Sequence, residues 1–114
     1  MAPDRYIRAI ARLTENGEKS TTTSELAEEL DVSDPSASEA VQDLEEDNLI
    51  CRVPYKGFTL SPLGRERVEQ ESQKIRQLEQ VLSRSGVEDV TEKAVKISEI
   101  LDEEDVSKLH QNTS

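Results

Sequence analysis

The chain has 114 residues, 33% apolar and 34% charged, and its 25 Asp and Glu against 14 Lys and Arg give a formal net charge of −11. Leu, Ile, Val and Phe number 27, enough for a thin core that burial against a second subunit would supplement. A single Cys excludes an intrachain disulfide framework, no apolar run approaches the ~20 residues of a membrane span, and the charge disfavours indiscriminate attraction to phosphates.

From Asp4 to Glu15, Tyr6, Ile7, Ile10 and Leu13 recur at the spacing of a one-faced helix, with Pro3 suited to its first turn and Gly17 placed to end it. Thr22-Thr23-Ser24-Glu25 reads as a capping box opening a short helix that holds Leu26, Ala27 and Leu30. Asp31-Val32-Ser33 reads as a turn, after which Ser33 or Asp34 caps a third helix that tolerates Pro35 and runs to about Asp47, with Ala37, Val41 and Leu44 inward. Beyond Asn48 the apolar period changes from 3.6 to 2. Ile50 to Val53 and Phe58 to Leu60 are β-prone, joined by the turn chemistry of Pro54-Tyr55-Lys56-Gly57, with Cys51 expected as a small hydrophobe under the hairpin.

Ser61-Pro62 starts a long helix through about Ser83, along which Val68, Ile75, Leu78 and Leu82 form a narrow seam suited to another helix. Gly86 breaks it. Val90, Ala94, Ile97, Ile100 and Leu101 predict a further amphipathic helix, Asp102 caps a last short one holding Val106 and Leu109, and the polar tail 111–114 is expected to fray. Three helices closed by a β-hairpin predict a mostly α chain with a winged helix-turn-helix over residues 1–61. A helical dimerisation region is expected over 62–114.

These residues resemble the diphtheria-toxin-repressor and manganese-regulator family of transcription factors. Tyr6-Ile7-Arg8-Ala9-Ile10 is similar to its opening helix, and the run Ser24 to Ser33 with Pro35-Ser36 to its helix-turn-helix. Tyr55-Lys56-Gly57-Phe58-Thr59-Leu60-Ser61-Pro62-Leu63-Gly64-Arg65 is similar to its wing and the start of its first dimerisation helix, and Leu78 to Leu82 and the Gly86-Val87 break also fit. The resemblance implies metal-activated repression, with ligands at the junction of the first helix and the dimerisation helices. The ligand positions, however, fall on Arg5, Arg8, Ile75, Glu79, Thr91, Val95, Ser98 and Glu99. Arginine cannot be deprotonated to coordinate, and a transition-metal site needs several converging imidazole, thiolate or carboxylate donors. No metal or other cofactor is therefore expected.

Catalysis has no support: one His, one Cys, and no nucleophile-base set, phosphate loop or zinc spacing. The leading reading is a homodimeric, sequence-specific regulator bound to a pseudo-palindromic double-stranded operator. The acidic, Lys-poor composition and the absence of a signal-peptide core place it in a salt-rich cytoplasm, away from membranes. No Lys or Arg lies between Lys19 and Arg52, so the third helix carries only acidic charge. Phosphate contacts are expected from Arg52 and Lys56 beside Tyr55 on the wing, and from Thr22, Thr23 and Ser24 at a helix N-terminus. Ser33, Ser36, Ser38, Glu39 and Gln42 are the expected readers of the major groove. Monovalent cations bridging carboxylates and phosphates would reconcile acidic helix with DNA, and Glu71, Glu79, Glu88 and Glu92 offer further cation donors. The alternative is a winged-helix adaptor that uses its acidic helix to contact a basic protein.

Overall fold

The structure, a computed structural model, describes residues 4–113; Pro3 and Ser114, assigned above to a helix start and a frayed tail, lie outside the described residues. Helix α1 (Asp4–Leu13) buries Tyr6, Ile7, Ala9, Ile10 and Ala11 on one face. Thr14, also buried, donates from Oγ1 to the Ile10 carbonyl at 2.6 Å and accepts from the Gly17 N–H, so the turn after α1 satisfies its own polar groups. Thr22 is the N-cap of α2 (Thr23–Leu30), and its hydroxyl accepts from the Glu25 N–H at 3.2 Å. Asp31, in the left-handed region at φ 52°, closes α2. Ser33, not Asp34, caps α3 (Asp34–Glu46), accepting from the Ser36 N–H at 3.2 Å, while Pro35 occupies the first turn. Replacing either capping hydroxyl, Thr22→Ala or Ser33→Ala, is expected to lower stability by about 1 kcal/mol, read from urea unfolding midpoints.

Strands β1 (Ile50–Val53) and β2 (Gly57–Leu60) pair antiparallel with Ile50 opposite Leu60 and Arg52 opposite Phe58. The sequence pattern gave no sign of a third participant: Thr21 bridges Phe58 through two backbone bonds of 2.8 and 2.9 Å. Phe58, fully buried, thereby joins the hairpin to the helices. Cys51 is exposed, which corrects its expected burial: in the alternation of β1, Ile50 takes the inward face and Cys51 the outward one.

Helix α4 (Pro62–Arg84) opens at Ser61, whose Oγ accepts from the Gly64 N–H at 2.9 Å and donates to the Asn48 carbonyl at 2.6 Å. Gly86, at φ 76°, follows its end. Helix α5 (Val90–Ser98) ends earlier than its apolar spacing predicts, leaving Ile100 82% exposed. Asp102 caps α6 (Glu103–Thr113) by accepting from the Asp105 N–H at 2.8 Å, and α6 continues through residues expected to fray.

The chain forms two compact units, one ending at Val68 and the other beginning at Glu69. The first core gathers Tyr6, Ile7, Ile10, Leu26, Val41, Leu44, Ile50, Phe58 and Leu60, with Val68 packed against it. The second is built on Leu78, Ala94 and Val106, with Ile75, Leu82, Ile97 and Leu101 around them. Val68, Ile75, Leu78 and Leu82 are therefore not one seam awaiting a partner. They fall in two cores of the single chain, and Leu78 is only 2% exposed, because α5 and α6 supply its packing.

Candidate nucleic-acid interface

Helix α3 buries Ala37, Ala40, Val41 and Leu44, and this inward stripe turns Ser38, Glu39 and Gln42 to solvent along the opposite face. At the start of that face, the Ser33 hydroxyl also donates to Ser36 Oγ at 2.9 Å, so these two side chains form one exposed hydroxyl pair. The arrangement offers neutral donors and acceptors and one carboxylate, Glu39, at the height where groove-reading side chains of a winged helix project.

At the N-terminus of α2, Thr23 is half-buried and Ser24 exposed, whereas the Thr22 hydroxyl is committed. It donates to Glu25 Oε1 at 3.4 Å, and Glu25 Oε2 accepts from Thr21 at 3.1 Å. A protein carboxylate thus stands beside the N–H groups expected to receive a phosphate. The dipole of α2 already has an anion there, which lowers its pull on a second.

On the wing, Arg52 lies on the hairpin face shared with Phe58 and points back to α3. Its Nε is 2.9 Å and its Nη2 3.4 Å from the two carboxylate oxygens of Glu45. The guanidinium expected to meet DNA is neutralised within the protein, a pairing hidden in sequence because the two residues belong to different elements. The exposed Lys56 has no carboxylate partner among the described residues. Tyr55, at φ 64°, stands at the wing tip with its ring entirely in solvent. Elsewhere in the first unit Arg12 pairs with Glu29 at 3.4 Å, Lys19 with Glu15 at 3.5 Å and Arg67 with Asp4 at 3.1 Å, which offsets part of the peripheral positive charge.

The residues at the family's ligand positions do not fit a divalent transition metal. In the first unit, Arg5 lies over the Tyr6 ring at 5.2 Å, and Arg8 is a second guanidinium. In the second, Ile75 packs in the core, Glu79 accepts from the Thr91 hydroxyl at 3.0 Å, and buried Ser98 donates to the Val95 carbonyl at 2.6 Å. No group of three His, Cys, Asp or Glu able to hold a metal occurs among the described residues. Of the wider cation set, Glu71 is buried 3.7 Å from Lys74, and Glu92 pairs with Lys96 at 3.2 Å.

Residues 3–58 match the family described as iron dependent repressor, N-terminal DNA binding domain. Among solved structures, a hypothetical protein from Sulfolobus solfataricus is similar at 22% identity, with a TM-score of 0.78 over 94% of this chain and 83% of that one. The manganese regulator SloR is similar at 23% identity and a TM-score of 0.74 over 97% of this chain and 54% of its own. IdeR of T. acidophilum is similar at 22% identity and a TM-score of 0.74, over 98% of this chain and 54% of its own. The chain therefore spans about half the length of these two regulators, and at such identity the likeness establishes the winged-helix fold. No curated protein matches the sequence.

Proposed function

Residues 3–58 belong to the family of iron-dependent-repressor N-terminal DNA-binding domains, and from that premise we propose that this chain is a homodimeric, sequence-specific transcriptional regulator that binds duplex DNA without a divalent metal. The observation that carries the DNA reading is the uncharged, exposed row Ser36, Ser38 and Gln42 on α3, set beside a wing with one unpaired lysine. Residues 1–61 serve as the DNA-binding part and 62–114 as the dimerising part. In a salt-rich cytoplasm, monovalent cations occupy the spaces between the carboxylates of α3 and the phosphates.

The dimer reading rests on the second unit, where Ile100 and Leu109 are large apolar side chains left 82% and 40% exposed. A twofold dimer presents two α3 helices to half-sites of a pseudo-palindrome. Mass in solution at molar salt is expected to be that of a dimer, and Ile100→Glu with Leu109→Glu to give a folded monomer; a wild-type monomer would contradict this.

Metal independence rests on the donor set, in which two guanidiniums and an isoleucine stand where ligands would be needed. Operator affinity is expected to be unchanged when a chelator replaces added manganese. A tenfold fall on chelation (~1.4 kcal/mol), recovered by manganese, would overturn it.

The acidic face of α3, with Arg52 already satisfied by Glu45, also favours a second reading, an adaptor for a basic protein. Lys56→Ala separates the two, because it weakens binding to duplex DNA and leaves a complex made through α3 intact. Wild-type protein that binds no duplex at any salt concentration would leave only the adaptor.

A further inference from the structure

We infer that Tyr55 is the wing's reader of the DNA minor groove, with its phenol ring packed on the deoxyribose walls and its hydroxyl donating to the groove-floor acceptors of an A·T pair. The inference rests on the DNA-binding reading above and adds to it a residue, a groove and a base preference.

Three observations converge on this side chain. Tyr55 has a relative exposure of 107%, the highest among the large hydrophobic residues of the described chain. Its backbone sits at φ 64°, a left-handed conformation that is strained for a residue with a Cβ, and no packing of its own ring offsets that strain. The mount beneath it is fixed. The Lys56 N–H donates to the Val53 carbonyl at 3.0 Å, and the Thr59 hydroxyl donates to the Lys19 carbonyl at 2.8 Å. Gly57 lies so close to Thr21 that a Cβ there would stand 2.0 Å from the Thr21 carbonyl oxygen. A strained turn on a rigid base holds an aromatic ring away from its own protein.

The electrostatics give that ring a role. With Arg52 bound by Glu45 and α3 acidic, phosphate neutralisation by this face is limited to Lys56. Affinity that survives salt must come from contacts that release no counterions, and apolar insertion into the minor groove is such a contact. The minor groove presents only the A N3 and T O2 acceptors at A·T pairs, whereas the guanine 2-amino group projects into it at G·C. A phenol hydroxyl is a donor matched to the first and obstructed by the second.

The test uses the full chain and the tightest duplex selected from a random pool, with A·T, G·C or inosine·C placed at the wing-facing positions. Tyr55→Asn keeps a residue that tolerates the left-handed region, and Tyr55→Phe removes only the hydroxyl. Wild type is expected to prefer A·T and inosine·C over G·C. Tyr55→Asn is expected to bind about tenfold more weakly with that preference lost, at unchanged salt dependence and undiminished thermal stability. Tyr55→Phe retains most affinity and loses the preference. Equal affinity and preference in Tyr55→Asn overturns the inference while wild-type binding still stands. A loss accompanied by a shallower salt slope assigns the effect to Lys56 and also overturns it. Absence of wild-type binding to any duplex removes the DNA reading itself.

Discussion

Gly64→Ala is expected to destabilise the first unit by about 3 kcal/mol, even though alanine is favoured over glycine inside a helix by roughly 1 kcal/mol. The reason is the approach of α4 to the chain before β1. A Cβ at position 64 would lie 2.0 Å from the Leu49 carbonyl oxygen and 3.2 Å from Leu60 Cδ2. The carbonyl cannot retreat freely, because it accepts the Ser61 N–H at 3.1 Å, and Ser61 in turn donates to Asn48. Gly57→Ala meets the same obstruction at the Thr21 carbonyl and adds the strain of φ 101°. Gly86→Ala is the control: nothing lies within 4 Å of its Cβ position, and only the strain of φ 76° remains, about 1 kcal/mol. Urea unfolding of the three variants is expected to place Gly64→Ala and Gly57→Ala well below wild type and Gly86→Ala close to it. Equal midpoints for Gly64→Ala and wild type would refute the close approach.

These glycines mark where the sequence was legible and where it was not. Local codes carried the helices: Tyr6, Ile7 and Ile10 at helical spacing, Thr22 and Ser33 before their helices, and Asp102 before α6 all act as their chemistry predicts. The hairpin followed from alternation and from Pro54-Tyr55-Lys56-Gly57, and these features together carried the winged helix. What stayed hidden is non-local. The bridge from Thr21 to Phe58 joins residues 37 positions apart, and Thr21 is an ordinary threonine in a polar stretch. The seam through Val68, Ile75, Leu78 and Leu82 was real as a periodicity, but a pattern on one helix does not say whether its partner is another chain or its own, here the first core for Val68 and α5 and α6 for the other three. At the candidate site the outward residues of α3 were readable from the inward ones. The capture of Arg52 by Glu45 required the geometry, since a charge in sequence carries no mark of being already paired.

That pairing sets the largest expected departure from ordinary DNA-binding behaviour, the response to salt. Each phosphate neutralised by a Lys or Arg releases condensed counterions, so that log affinity falls by about 0.9 per tenfold rise in salt for each contact. Six such contacts would cost about 10⁵ in affinity between 0.1 and 1 M KCl. Here Arg52 is satisfied by Glu45, Lys56 is the unpaired cation of the wing, and Asp34, Glu39, Glu46 and Asp47 are exposed on or beside α3. Docking then brings carboxylates toward phosphates, and that repulsion is screened over ~10 Å at 0.1 M and ~3 Å at 1 M. Cation uptake between like charges contributes a slope of the opposite sign to counterion release. Affinity is therefore expected to change by less than about tenfold across this range, or to rise. Lys56→Ala should move the slope in the positive direction by about one for each protomer while lowering affinity at every salt concentration. Glu39→Gln should lower the salt needed for binding, because one repulsive carboxylate is removed without disturbing the buried face of α3. Titrations of a fluorescent operator duplex in potassium chloride, and again in a bulky organic cation that fits poorly between two anions, measure both effects. A thousandfold loss of wild-type affinity between 0.1 and 1 M would mean that cations unaccounted for by Lys56 carry the complex, and that cation uptake at the acidic helix does not occur.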